Sequence, residues 1–104
     1  MSRADADRME DIRAAIARCL TYRDHLDSAE FGSMAYDAVL RNLAVIGEAV
    51  KALPEDFKKG RPGAPWASIA GLRNVVVHEY FRVNPAMIRD IVDDQLAPLL
   101  DELG

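Results

Sequence analysis

Residues 36–53 read YDAVLRNLAVIGEAVKAL, with apolar side chains that recur at intervals of three and four residues. Because an α-helix turns once every 3.6 residues, this spacing gathers them on one broad face of a helix. Ser33 is positioned to act as the N-cap, and Pro54 ends the helix because proline lacks the backbone N–H of a helical hydrogen bond. The predicted apolar face consists of Tyr36, Val39, Leu40, Leu43, Ile46, Val50 and Leu53.

The segment before this helix shows the same periodicity. It predicts an amphipathic helix that ends near residues 25–26, and the polar segment 27–33 then separates the two helices. Its apolar stripe consists of Met9, Ile12, Ile16, Cys19 and Leu20.

Two further helices are predicted after the proline- and glycine-rich loop at 54–65, in which a short extra helix is allowed. The third helix starts close to Trp66 and ends before Asn84. Asn84 supplies the N-cap of the fourth helix, and Pro85 occupies its first position. We expect Pro98 to bend the fourth helix. The apolar positions of that helix are Ile88, Ile91, Val92, Leu96, Leu99, Leu100 and Leu103.

Four helices with short connections predict an all-α fold, an antiparallel four-helix bundle. No segment alternates between apolar and polar residues at the period of two that a β-strand requires. With 104 residues, the chain is expected to form a single domain over 1–104.

Composition excludes several classes of protein. No apolar run reaches the roughly 18–20 residues that span a bilayer, and the charged N-terminus does not resemble a signal peptide. We therefore expect a cytoplasmic protein without a membrane partner. Cys19 has no second cysteine to pair with and is expected to be a core residue. His25 and His78 are predicted to lie on different helices, so neither a metal site nor a cofactor is expected.

The net charge of −4 is unevenly distributed. Residues 41–82 carry seven basic and four acidic side chains, whereas the segments on either side are both acidic. Such a basic zone can hold a phosphate backbone, although a solvated basic loop has the same composition.

The third predicted helix contains Val75–Val77 and is therefore apolar around most of its circumference. A helix of this kind is normally buried on all sides. Either a second subunit covers it, or it is the central helix of a tightly packed monomer.

The same helix carries Arg73, Asn74, His78 and Tyr80, polar side chains that are costly to bury unless they are paired or functional. Arg73 and His78 are five residues apart, about 140° around an ideal helix, so their convergence needs a distorted helix end or a partner subunit. A metal-free arginine and histidine suit RNA cleavage by the 2′-hydroxyl, with His78 transferring protons and Arg73 neutralising charge at phosphorus. A polar interface remains the alternative interpretation.

The motif RNVVVHEY at 73–80 resembles the Arg-x4-His-x-Tyr pattern of HepT-like proteins in the HEPN superfamily. The resemblance extends to AVLRNLAVIGEAVKAL at 38–53, to PWASIAGLRNVVVHEYFRVN at 65–84 and to the acidic last helix with DDQLAPLL. It covers nearly the whole chain from Tyr22 onward.

The resemblance implies a symmetric homodimer in which two Arg73/His78 pairs face a shared cleft. It implies a metal-independent endoribonuclease toxin of a type II/VII-like toxin–antitoxin pair, with Asn74 and Tyr80 as supporting site residues. The implied antitoxin is a minimal nucleotidyltransferase that can transfer AMP onto Tyr80. Either mRNA or tRNA can be the substrate.

Two alternatives remain open at this point. One is a non-catalytic helical dimer that binds a nucleotide or the nucleotidyltransferase. The other is a purely structural dimer, which the polar cluster within a valine-rich helix disfavours.

Overall fold

The computed structural model describes residues 2–104, apart from the side chain of Phe81. Over this range the chain is all-α and contains no strand, which confirms the predicted fold class. None of the helices in the described range combines the length and hydrophobicity needed to cross a membrane. The helices are α1 Arg3–Arg23, α2 Gly32–Ala52, α3 Glu55–Lys59, α4 Trp66–Ala70, α5 Leu72–His78, α6 Pro85–Ile91 and α7 Ala97–Leu103.

The first two helices pack along each other and agree with the predicted pair, but the N-cap of α2 does not. The helix starts at Gly32 with Phe31 as its N-cap, so the assignment of Ser33 was wrong. Ser28 instead accepts a hydrogen bond from the Phe31 backbone N–H at 3.0 Å within the preceding turn. A Cβ on Gly32 would lie 2.8 Å from the carbonyl oxygen of Leu26, so glycine permits this tight entry into α2.

The third predicted helix is divided in two. It consists of α4 and α5, which are separated by a turn at Gly71. The backbone N–H of Gly71 donates to the carbonyls of Ala67 and Ser68, both at 3.2 Å, so the α4 turn tightens before α5 begins. The short helix allowed for in the 54–65 loop is present as α3.

The fourth predicted helix is also interrupted. Asn84 caps α6 as expected, since its side-chain oxygen accepts from the Met87 N–H at 3.0 Å. A π-helical turn at Val92–Leu96 then connects α6 to α7. It immediately precedes the turn that contains Pro98, which cannot donate a backbone hydrogen bond.

The predicted apolar faces form the core that joins α1, α2 and the last helices. Cys19 is fully buried, and burial raises the pKa of its thiol to about 12, as suits a core residue. Leu20 is an exception among the predicted core positions, with 37% of its surface exposed. The largest fully buried side chains are Ile12, Ile16, Leu43, Ile46, Ile69, Ile88, Leu96 and Leu99.

The valine-rich segment is not buried all round within one chain. Val75 and Val76 are partly buried and pack against the core, whereas Val77 is 51% exposed. The alternative of a central helix buried within a tightly packed monomer is therefore wrong, whereas coverage by a second subunit stays a prediction. The helix has an inner side formed by the first two valines and an apolar outer side at Val77.

A close backbone contact at Gly47 positions α2 against the start of α5. A Cβ on this residue would lie 2.9 Å from the backbone nitrogen of Arg73 and 3.0 Å from the carbonyl oxygen of Ile69. These neighbours are backbone atoms, which cannot rotate away as a side chain can. Glycine at this position therefore allows the two helices to approach within a distance that any other residue would prevent.

We predict that Gly47→Ala lowers the free energy of unfolding by about 1–3 kcal/mol, as expected for overpacking in a close contact. Alanine favours a helix over glycine by about 1 kcal/mol, which by itself would raise the free energy of unfolding. A decrease in the free energy of unfolding would therefore reveal the steric conflict. Urea denaturation measures the change.

The matched control is Gly60→Ala. A Cβ on Gly60 would meet only the carbonyl oxygens of Asp56 and Phe57, at ordinary contact distances of 3.5 and 3.8 Å. This variant should match or exceed the stability of the parent. Equal stability of Gly47→Ala and the parent would contradict the proposed contact.

Candidate active site

Arg73 is the second residue of α5 and lies directly opposite α2. Its Nε lies 3.0 Å from Oε1 of Glu48, and both side chains are about half exposed. Glu48 follows Gly47, the residue whose missing Cβ allows the backbone of Arg73 to approach α2. The ion pair therefore joins the two helices beside this close backbone contact and orients the guanidinium group.

His78 is the last residue of α5 and is exposed. After it, the backbone turns through Glu79 into a 3₁₀ turn at Tyr80–Arg82. Within the described residues, no hydrogen bond joins Arg73 to His78, and the arginine pairs with Glu48 instead. Within the described part of one chain, the two predicted catalytic side chains are therefore not joined by a hydrogen bond.

The burial expected for this cluster is wrong. Arg73, Asn74, His78 and Tyr80 are all classed as exposed in the single chain. The cost of burying polar groups in an apolar helix, which drew attention to them in the sequence, does not arise here. Their accessibility instead suits contact with a large, charged ligand.

Tyr80 lies near Tyr36, a tyrosine on α2. Burial raises the pKa of Tyr36, and the neighbouring Tyr80 and Asp37 raise it further. The Tyr36 hydroxyl donates to the carbonyl oxygen of Val83 at 3.0 Å. This bond anchors the segment after Tyr80 to α2, while Tyr80 itself remains 47% exposed.

A surface groove of about 500 Å³ runs along α2 beside Arg73. Arg73 and Val77 form its α5 side, while Val45 and Glu48 belong to α2. Val45 is 42% exposed and Val77 is 51% exposed, so the groove combines apolar surface with an ion pair. His78, Asn74 and Tyr80 are not among its lining residues.

At positions 2–104, no three histidine, cysteine or acidic side chains come together in an arrangement suited to a metal ion. The chemical groups at the site are thus an arginine with its carboxylate partner, an imidazole at a helix end and a phenol two residues further on.

Glu48 is the site residue that sequence reasoning missed. The glutamate stands next to glycine in the segment IGEA, and this pair was the available signal. Glycine on the apolar face of a helix indicates a close backbone approach, and a charged neighbour at that contact is placed to meet the opposing helix.

Comparison with known proteins places these features in a family. The family model described as "Ribonuclease HepT-like" matches residues 12–104. A Thermococcus cleftensis protein named "Probable ribonuclease HepT" is 33% identical over 101 residues, which cover 95% of this chain and 92% of that protein. No solved structure matches the chain.

Two other relatives are longer than the chain. A Methanocaldococcus jannaschii protein named "Putative RNase MJ0127" is 47% identical over 66 residues, which cover 64% of this chain and 54% of that protein. A Caldanaerobacter subterraneus protein named "Putative RNase TTE0752" is 42% identical over 62 residues, covering 60% and 55% respectively. The match thus spans about half the length of these two relatives. Because the family model covers almost the whole chain, the chain belongs to the ribonuclease HepT-like family of the HEPN superfamily.

Proposed function

We propose that this chain is a metal-independent endoribonuclease toxin in which Arg73 and His78 cleave RNA. The observation that carries the proposal is the exposure of both motif side chains on α5, with Glu48 orienting the arginine. Relatives named as ribonucleases support the same class of activity. The substrate is mRNA or tRNA, and the site of action is the cytoplasm.

The proposed reaction needs only proton transfer and charge stabilisation. His78 takes the proton of the RNA 2′-hydroxyl, whose oxygen attacks the adjacent phosphorus. The bond from phosphorus to the 5′-oxygen breaks, and a second imidazole donates the proton that this oxygen needs. Arg73 neutralises the charge that grows on the phosphoryl oxygens. The products are a 2′,3′-cyclic phosphate and a 5′-hydroxyl.

A homodimer supplies the second imidazole. Each chain carries one His78, and within a chain no hydrogen bond among the described residues joins it to Arg73. The exposed Val45 and Val77 beside Arg73 form an apolar surface that association would cover. A two-fold contact at this groove would place two Arg73/His78 pairs beside a shared cleft.

The proposed antitoxin is a minimal nucleotidyltransferase that transfers AMP onto Tyr80. The exposure of Tyr80 supports such a modification, since a transferase must reach the hydroxyl. AMP on this residue would add bulk and negative charge two residues from His78. Both effects would oppose the binding of an RNA phosphate there.

A non-catalytic dimer that binds a nucleotide or the nucleotidyltransferase is the second candidate. The absence of an Arg73–His78 hydrogen bond among the described residues of one chain favours it, because a phosphate-binding site does not need the two side chains to converge. The cleavage experiment decides between the two candidates.

We predict that His78→Ala lowers the rate of RNA cleavage by about 10²–10⁴-fold, the usual contribution of a general acid or base. Arg73→Ala should cost about 10²–10³-fold through loss of charge stabilisation. Glu48→Gln should retain part of the activity, since an amide can still hold the guanidinium in place. Cleavage of a labelled RNA in the presence of EDTA measures all three, and the product should end in a 2′,3′-cyclic phosphate.

His25→Ala and Arg3→Ala are the matched controls, since they remove an exposed histidine and an exposed arginine on or beside α1. Both should cleave as the parent does. Loss of cleavage on adding EDTA, or full activity of His78→Ala, would contradict the mechanism. An inactive parent that still binds the nucleotidyltransferase would support the non-catalytic candidate.

We predict that Val77→Asp shifts the chain from dimer to monomer, because it places a charge in the apolar part of the interface. Sedimentation at micromolar concentration should give twice the chain mass of 11.5 kDa for the parent and the chain mass for the variant. Met87→Asp is the control, at a side chain on α6 that is 42% exposed. It should remain dimeric, and a monomeric parent would refute the dimer.

We predict that Tyr80→Phe keeps substantial cleavage activity but escapes modification, because only the hydroxyl accepts AMP. Co-expression with the nucleotidyltransferase, followed by mass spectrometry of the peptide that contains Tyr80, measures the transfer. Growth arrest by Tyr80→Phe in the presence of the antitoxin tests its consequence. Full neutralisation of this variant would favour steric masking over modification.

A further inference from the structure

A second groove, of about 580 Å³, lies between α1 and α2. It adjoins the groove beside Arg73, since Val45 lines both. Its lining differs in character from the first, since two guanidinium groups face it from different helices. The residues that matter here are Arg18 and Tyr22 of α1, and Asp37, Arg41 and Asn42 of α2.

Among the described residues, the two arginines of this groove have no hydrogen-bond or ion-pair partner. Neither Arg18 nor Arg41 makes an ion pair or hydrogen bond with any other described residue. Elsewhere Arg23 is held by Asp93 at 2.6 Å and Arg89 by Asp27 at 2.8 Å. Two unpaired guanidinium groups lining one groove leave ten N–H donors available for an anion.

Asp37 is the acidic side chain of the groove, and it does not form an ion pair with either arginine. One carboxylate against two guanidinium groups leaves a net positive charge. A carboxylate also accepts hydrogen bonds, for example from a ribose hydroxyl or a base amino group. The groove is therefore suited to a ligand with both anionic and hydrogen-donating groups.

Tyr22 and Asn42 add contacts of other kinds. The side chain of Tyr22 is partly buried and packs against the core, which restricts its movement, and it also lines the groove. Asn42 is only 8% exposed, and its amide nitrogen donates to the Ala38 carbonyl oxygen at 2.8 Å. That bond leaves the amide oxygen as an acceptor. A fixed aromatic ring beside basic side chains is the usual arrangement for binding unpaired bases.

We propose that the groove formed by Arg18, Tyr22, Arg41 and Asn42 binds single-stranded RNA next to the cleavage site. The two arginines contact backbone phosphates, and Tyr22 stacks on a base. In taking RNA as the ligand, the inference rests on the proposed function. It adds a binding site outside the Arg73/His78 motif and assigns a role to side chains that the cleavage mechanism does not use.

The position of the groove suits one strand that occupies both sites. Arg41 and Glu48 are seven residues apart on α2, which is about 10 Å along the helix axis. Because Glu48 pairs with Arg73, Arg41 lies about 10 Å along α2 from the residue that holds the proposed catalytic arginine. A strand bound at Arg73 would thus reach Arg41 with its neighbouring nucleotides. Substrates would be selected by the unpaired bases beside the cleaved bond.

The test uses RNA binding by the full chain carrying His78→Ala, so that no cleavage occurs. The probe is a fluorescein-labelled, unstructured RNA of about twelve nucleotides, followed by anisotropy at several salt concentrations. In this background Arg18→Ala/Arg41→Ala should raise the Kd about ten-fold or more. The slope of log Kd against the logarithm of the salt concentration should decrease by about 1.4, since each of the two lost phosphate contacts on a single strand contributes about 0.7.

Three further variants make the result specific. Lys51→Ala/Lys59→Ala removes two exposed basic side chains from a different groove and should leave the Kd within about two-fold. Arg18→Lys/Arg41→Lys should retain most of the salt dependence, because lysine still contacts phosphate as a point charge. Tyr22→Leu should weaken binding without changing the salt dependence, as the loss of stacking predicts.

Several results would overturn the proposal. An unchanged Kd for Arg18→Ala/Arg41→Ala would do so, and so would an equal loss with the lysine pair, since that would indicate nonspecific attraction. Dissociation of the arginine variant into monomers would assign the groove to the subunit contact instead. Because binding is measured without cleavage, its outcome is independent of whether Arg73 and His78 cut RNA.

Discussion

The site depends on one close contact, where α2 lies against the start of α5 without an intervening side chain. Gly47 makes this possible, since a Cβ would lie 2.9 Å from the Arg73 nitrogen. Three consequences follow from the same contact. It holds the short helix α5 on the bundle, it brings Glu48 within 3.0 Å of Arg73, and it leaves the motif side chains on the outer surface. The glycine and the glutamate thus position Arg73 together, although only the glutamate forms an ion pair with it.

Much of the fold could be predicted from the sequence because segments with strongly periodic apolar residues clearly indicate helices. The long α1 and α2, the stop at Pro54 and the cap at Asn84 all follow from local rules. The break at Gly71 could not be predicted in this way. A glycine costs a helix only about 1 kcal/mol, so tertiary contacts decide whether the helix continues or turns. The N-cap of α2 was missed for a similar reason, because it depends on how the turn at 24–31 packs against Gly32.

The residues of the candidate site could be predicted from the sequence, but their exposure and their neighbours could not. The spacing of Arg73 and His78 indicated that an ideal helix would keep them apart, and the structure leaves them without a mutual hydrogen bond within the described chain. Their burial was overestimated, because the run Val75–Val77 was taken to be enclosed on all sides. Periodicity shows which residues are apolar, but it does not show how much of a helix one chain can cover. Arg18 was similarly overlooked, since it lies in an acidic part of the sequence and meets Arg41 only in three dimensions.

The π-helical turn at Val92–Leu96 has a consequence for how the chain tolerates changes in length. Ile88, Val92 and Leu96 are buried and succeed one another at intervals of four. In a regular α-helix two such steps would carry the third side chain about 80° beyond the first. The π turn is wider than an α turn and accommodates one extra residue, and Leu99 and Leu103 beyond it are buried. Deleting one residue within this turn would restore a regular α-helix and leave the apolar face of α7 directed at the core. This segment is therefore a place where the chain tolerates the loss of one residue, whereas the same deletion within a regular helix such as α2 would rotate the residues that follow by about 100°.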